Sequence, residues 1–325
     1  MRTPMPKPRR ALVSPEATTY YHCISRCVRR AFLCGQDRLT GKNFDHRKQW
    51  LVDRMKELAA IFAVDVCSYG ALSNHLHVIL HIDRERVGSW TDQEVVARYE
   101  KLFRHTVSRW RKLPEKEQAR KLLLWRSRLW DLSWFMRCLN ESIARRANRE
   151  DKCTGRFWEG RFRSQALLDE GALLTCMSYV DLNPIRAGLA TTLEDSEFTS
   201  IRERLLAAVR GRAVEETGLV PFADQAVGGR NGLPIGFSDY VEVLRWTAGA
   251  IVEARDEEVP PRIGTVLERC GLESRGFVDS IRHYARSFFT MVGQVHRIEV
   301  ESQRRGYRQR PGLAAARRMY RRAAA

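Results

Sequence analysis

Two histidines one residue apart, His75 and His77, lie in the run Ser73-Asn74-His75-Leu76-His77-Val78-Ile79-Leu80-His81. In an extended strand side chains alternate between faces, so His75 and His77 point the same way as Ile79 and His81, while Leu76, Val78, Leu80 and Ile82 point the other. One face can hold a cation and the other can bury. About a hundred residues later comes Ser178-Tyr179-Val180-Asp181-Leu182-Asn183-Pro184. Tyr179 and Asn183 are four apart in a segment whose Leu173, Leu174, Met177 and Val180 recur at helical spacing, so a phenol and a carboxamide share one helix face. These residues supply a nucleophile and up to three metal ligands.

A free phenol has a pKa near ~10, so tyrosine attacks a phosphodiester poorly unless its proton is lost or the phosphate is made more electrophilic. A divalent cation on a non-bridging phosphate oxygen does the second and orients the backbone for in-line attack. The mixed nitrogen and oxygen donors of His75, His77 and Asn183 suit Mg²⁺ or Mn²⁺. Asn183 precedes Pro184, which disfavours the α conformation, so the helix is expected to end there with the carboxamide at the negative end of its dipole. Taken alone, a His-x-His strand is more often a pair of exposed or hydrogen-bonded rings, and a helical tyrosine more often anchors its hydroxyl at the surface.

The elements that must position these residues follow from composition and periodicity. Thr18 to Ser25 reads as a strand, and Arg47 to Ala63, with Trp50, Leu51, Met55, Leu58, Ile61 and Phe62, as an amphipathic helix. Asp65 to Leu72 and His75 to Ile82 read as two strands joined at Ser73-Asn74. A helix from Ser133 to Asn148, a strand from Phe162 to Leu168 and the tyrosine helix complete the set. The order predicts an α+β fold on a split βαβ, ferredoxin-like plan, an antiparallel sheet with helices packed on it.

Four separated motifs also resemble a known family. Tyr21-His22-Cys23-Ile24-Ser25-Arg26, the His75-Leu76-His77 strand, Gly155-Arg156-Phe157-Trp158-Glu159-Gly160-Arg161-Phe162-Arg163, and Tyr179 through Asn183-Pro184-Ile185-Arg186-Ala187-Gly188-Leu189 are similar to the HUH single-tyrosine transposases of the IS200 type. The likeness is greatest to the branch associated with repetitive extragenic palindromes and runs from about Thr18 to Arg204. It implies the HUH nuclease fold and single-stranded or hairpin DNA as partner. It also implies Tyr179 as nucleophile, forming a 5′-phosphotyrosine, and a metal site at His75, His77 and Asn183. Cys27 stands where the family usually has glycine. Rival readings are a replication initiator or relaxase, and a domesticated, non-catalytic DNA-binding regulator.

Arg156, Arg161 and Arg163 alternate with Phe157, Trp158 and Phe162, a mixture suited to single strands because guanidinium groups meet phosphates and rings stack on bases. The expected DNA-contacting set is Arg156, Arg161, Arg163, Trp158, His22 and Arg26. His81 reads as structural or DNA-facing. A net charge of +17 over 325 residues points the same way, to a polyanion. No apolar run approaches the roughly 20 residues a membrane span needs, and no apolar signal core follows Met1. The expectation is a cytoplasmic protein, with a homodimer allowed for. Eight cysteines without a Cys-x-x-Cys pair read as free thiols more readily than as a zinc cluster of Cys23, Cys27 and Cys34 with His22.

The expected organisation is a disordered basic arm (1–15), a catalytic domain (16–204) with a helical insertion (83–131), a linker (205–237) and a mostly α accessory region (238–303). Within that region Ile263 to Arg269, Gly271 and Phe277 to Val292 outline a helix-turn-helix that could read DNA. The last stretch (304–325), with eight arginines from Arg304 to Arg322, reads as a flexible polyanion-binding tail.

Overall fold

The computed structural model describes residues 12–28, 34–36, 41–226, 232–253 and 258–321. They form an α+β fold on a five-stranded mixed sheet of order β2-β3-β1-β4-β5. β1 (Tyr20–Arg26) leads to α1 (His46–Ile61), which buries Leu51, Met55 and Leu58 from one face. β2 (Val64–Ala71) and β3 (His75–Ile82) make a hairpin, closed where the Leu72 N–H donates to the His75 carbonyl. Both faces of β3 are covered: Leu76, Val78, Leu80 and Ile82 are buried on one, His77 and Ile79 on the other. His75 and His81, at its ends, are half-buried.

The insertion holds α2 (Arg84–Ser89), α3 (Asp92–Trp110) and α4 (Glu115–Arg128). A reciprocal Thr91–Glu94 capping box starts α3. Tyr99 of α3 stacks on Trp125 of α4 with ring centroids 4.4 Å apart, so the two helices bury their apolar stripes against each other. α5 (Leu132–Glu150), capped by Asp131, packs along α1. Its Asn140 bonds Ser25 on the sheet face opposite His22. β4 (Arg163–Leu167) and α6 (Glu170–Asp181) follow, and α6 lies across β2, β3 and β4 on the histidine face.

After α7 (Asn183–Arg186) and α8 (Ser200–Val209) the chain departs from the expected linker and tail. Part of the expected linker is packed: the Val220 N–H donates to the Val66 carbonyl of β2 and Phe222 is fully buried, while residues 227–231 lie outside the described residues. Then come α9 (Phe237–Glu253), α10 (Pro261–Arg269), α11 (Ser274–Arg282), α12 (Tyr284–Ser287), β5 (Met291–Val292), α13 (Val295–Arg304) and α14 (Leu313–Met319). β5 pairs in parallel with β4, so the sheet is mixed and not wholly antiparallel.

The helix-turn-helix reading is corrected by burial. α11, which would have to enter a groove, is packed on α6 and α14 and buries Phe277, Val278 and Ile281. A Cβ on its Gly276 would lie 1.9 Å from the Arg318 carbonyl oxygen, so the two backbones touch. The arginine-rich tail is likewise folded as far as Arg321. Met319 and Tyr320 are buried, and the Tyr320 hydroxyl donates to Asp169 at the start of α6. Arg304 and Arg305 both pair with Glu301, Arg310 with Glu299 and Arg321 with Glu268, so four of the eight expected phosphate contacts are already partnered. At the other end Ser14 is buried and its N–H bonds the Tyr21 hydroxyl, so part of the expected disordered arm is ordered, while residues 1–11 lie outside the described residues. Among the described residues no helix is long and apolar enough to cross a membrane.

Candidate active site

Strand register brings three histidines onto the sheet face beneath α6. His22 on β1 sits opposite Ile79 and, on its other side, opposite Gln165; His77 sits opposite Ile24, one step along the same face. The His22 Nε2 and His77 Nδ1 atoms are 2.8 Å apart, and His22 Nδ1 lies 3.0 Å from Gln165 Oε1. His75, opposite Arg26, sets its Nδ1 2.6 Å from Asn74 Oδ1, and its ring centroid is 4.7 Å from that of His77. Burial pushes His22 and His75 down to about 4, with Arg26 adding to the effect on His75. Burial and its charged neighbours hold His77 well below the usual histidine range. All three rings are neutral at pH 7, and neutral imidazole is the form that binds metals.

Tyr179 comes down on this cluster from α6. Asp169 caps the start of that helix by accepting from the Ala172 N–H, and Asp181 anchors its end. The Asp181 carboxylate accepts from the Ser200 and Tyr240 hydroxyls and from the Ile201 N–H. The Tyr179 ring is 5% exposed and meets His77 edge-on with centroids 5.4 Å apart. On its own face it stacks against Tyr284 of α12, centroids 4.4 Å apart. The Arg186 guanidinium lies 4.7 Å from the ring centroid and also donates to the Arg282 carbonyl. Burial pushes the Tyr179 phenol up in pKa; Arg186, a fixed positive charge beside it, pulls the other way.

Asn183 is buried, 7% exposed, and stands two residues beyond the end of α6. The expectation that the helix persists to Asn183 and stops before Pro184 is reversed in detail. α6 ends at Asp181, and Asn183 opens α7 with Pro184 in its first turn, where a missing N–H breaks no helical bond. Among the described residues no three side chains of the His, Cys, Asp and Glu types form a metal-holding group, so the expected set draws its third donor from a carboxamide. The two imidazole donors that lie together, His75 and His77, suit a divalent cation. His77 Nε2 is buried without a hydrogen-bond partner, and Nδ1 of His75 is occupied by an amide oxygen, which leaves its Nε2 available.

The expected DNA-contacting residues divide. Arg156, Arg161 and Arg163 are exposed, as phosphate contacts require. Trp158 is not a free stacking platform: it is 9% exposed and its indole N–H donates to the Asn140 carbonyl, which pins the loop to α5. Phe157 and Phe162 are buried too. His22 is fully buried with both nitrogens engaged, so it serves the cluster and not a DNA surface. Arg26 is half-buried beside His75, with its Nε unpartnered. His81 packs its ring against Tyr20 at a tilt and bonds Asp65, the structural alternative.

Three residues of the cluster escaped the sequence. Gln165 was legible in principle, because it alternates with Arg163 along β4. Arg186 stands inside a motif already singled out. Tyr284 carried no signal, since nothing local ties α12 to α6.

No family model matches the chain, and no curated protein sequence is similar to it. Among solved structures it is similar to a REP-associated tyrosine transposase bound to a REP hairpin. That match has 14% identity and a TM-score of 0.37, and covers 71% of this chain and 97% of the other. A likeness at this level fixes neither the fold nor the chemistry.

Proposed function

We propose that the chain is a metal-dependent endonuclease and strand transferase of the single-tyrosine HUH type, acting on single-stranded DNA at or near a hairpin in the cytoplasm. The observation that carries the reading is the approach of Tyr179 to His77, from different elements, with the ring centroids 5.4 Å apart. The strand order β2-β3-β1-β4, with β1 antiparallel to both β3 and β4, supports the ferredoxin-like plan such an enzyme uses.

In this reading the Tyr179 oxygen bonds to phosphorus and the bond from phosphorus to the 3′ oxygen breaks. The phenol proton is lost, the 3′ oxygen leaves as a hydroxyl, and a 5′-phosphotyrosine remains. Attack by a later 3′-hydroxyl reverses the step, and because the bond is conserved no nucleotide cofactor is consumed. Arg186 favours the phenolate, Tyr284 fixes the plane of the ring, and Arg156, Arg161 and Arg163 hold the strand by its phosphates. Mg²⁺ or Mn²⁺, held by His75, His77 and Asn183, would supply Lewis-acid polarisation of the scissile phosphate.

The test is a denaturing gel of labelled single-stranded hairpin DNA incubated with Mg²⁺. The wild type is expected to give a protein–DNA adduct and a shortened strand; Tyr179→Phe should bind the DNA and give neither. The near-complete burial of Tyr179 favours one second reading, a non-catalytic DNA-binding regulator on the same scaffold, for which wild type and Tyr179→Phe would bind alike and neither would cleave.

A further inference from the structure

We infer that Gln165 is a positioning residue: acting through His22, it fixes His77 in the tautomer with its proton on Nδ1 and a bare lone pair on Nε2. The inference rests on the proposed function only in assigning that lone pair to a metal.

The direction of each bond follows from what each atom can do. Gln165 Oε1 accepts from the Tyr284 hydroxyl at 2.7 Å and faces His22 Nδ1 at 3.0 Å. An amide oxygen only accepts, so His22 carries its proton on Nδ1. His22 is fully buried between a carboxamide and an imidazole, with no carboxylate on either nitrogen, and a charged ring there would be uncompensated. It is neutral, its Nε2 accepts, and the proton in the 2.8 Å contact to His77 belongs to His77 Nδ1.

That leaves His77 Nε2 unprotonated, and it is buried without a partner. The opposite tautomer would set two lone pairs against each other at the His22 contact and place an N–H with no acceptor at Nε2. A buried donor left unsatisfied disfavours that arrangement. His75 is oriented by the same logic in one step, Asn74 Oδ1 taking its Nδ1 proton. Two amide oxygens, one direct and one relayed by an imidazole, therefore turn both histidines into Nε2 donors. Second partners of this kind commonly change metal affinity by about 10–100-fold.

The experiment uses the full chain labelled with ring-¹⁵N histidine, metal-free at pH 7.5, with Mn²⁺ binding followed separately by electron paramagnetic resonance. Long-range ¹H–¹⁵N spectra of the wild type should show His22 and His77 protonated on Nδ1 and unprotonated on Nε2. Gln165→Leu, which keeps the volume and removes the acceptor, should let both rings populate the other tautomer and weaken Mn²⁺ binding at least ~10-fold. An Nε2 proton on His77 in the wild type overturns the inference, and this spectrum decides even if Gln165→Leu does not fold. So does a folded Gln165→Leu with wild-type Mn²⁺ affinity. If the tautomers are as stated and no Tyr179 adduct forms on DNA, the proposed function fails and the inference stands. If adduct forms while Gln165→Leu binds Mn²⁺ normally, the reverse holds.

Discussion

The ring of Tyr284 lies on the ring of Tyr179, centroids 4.4 Å apart and planes within 18° of parallel, although one belongs to the C-terminal region and the other to the helix that carries the proposed nucleophile. The same Tyr284 hydroxyl donates to Gln165, so one side chain touches both halves of the site. Tyr284→Phe keeps the stack and loses the hydrogen bond, with an expected cost of about 1 kcal/mol. Tyr284→Ala opens a cavity beside Tyr179 and should cost roughly 3–5 kcal/mol. Thermal unfolding with the adduct gel should rank wild type, Phe and Ala in that order; equal stability of Phe and Ala would mean that the stack holds nothing.

Arg186 sets its charge beside the Tyr179 ring and opposes the upward push of burial on the phenol. Arg186→Gln should raise that pKa further, so the rising alkaline limb of the cleavage profile moves to higher pH. A profile displaced by one unit means a rate about tenfold lower at a fixed pH below the limb. Single-turnover rates across pH check this, and superimposable profiles would remove Arg186 from that role.

Metal dependence should be separable from binding. His75→Ala and His77→Ala are expected to abolish cleavage in Mg²⁺ while DNA affinity, which comes from phosphate contacts, stays within a few-fold. His77→Ala also strips His22 Nε2 of its partner, with an expected stability loss of about 1–3 kcal/mol. Full cleavage in excess EDTA would contradict the metal.

Glu301 tests the folded C-terminal segment. Burial pushes its carboxyl up, but hydrogen bonds from Arg304 and Arg305 win and hold it below the ordinary value. A depressed folded pKa stabilises the protein above the unfolded value of roughly 4.3, and the benefit is lost as pH falls through the folded value. Arg305, 1% exposed, would be left as a buried cation by Glu301→Gln, at a cost of about 3 kcal/mol near pH 7. Denaturant midpoints for both proteins should differ at pH 7 and converge in acid.

Removal of residues from Gln303 onward discriminates a docked segment from a free tail. A free tail would lose DNA affinity alone, with a shallower salt dependence. The structure instead predicts lost stability, because Met319 and Tyr320 leave the core and α11 loses a neighbour. Gly276→Ala should mimic part of this through its clash with the Arg318 carbonyl. Unchanged melting of both variants would restore the tail.

Four strands, α1, α5 and α6 were legible because their burial is local and periodic: His75 and His77 had to share a face once β3 was a strand. What could not be read was long-range. Trp158 reads as a stacking platform because its indole partner, the Asn140 carbonyl, lies 18 residues back on α5. His22 reads as a DNA contact because the chain does not announce that Tyr179 of α6 and Tyr284 close over it. Arg304, Arg305 and Arg310 read as free because their acids, Glu299 and Glu301, stand just before the stretch that reads as a tail.

Asp169 caps the tyrosine helix, and two of its other partners, the Gln294 N–H and the Tyr320 hydroxyl, lie 125 and 151 residues further along the chain. On the ribosome the histidine strand and the tyrosine helix emerge while the chain that seats them is still unsynthesised. Tyr179 is therefore expected to take up its seated position only after Tyr320 has emerged, and a nascent chain stopped before α14 should lack that seating.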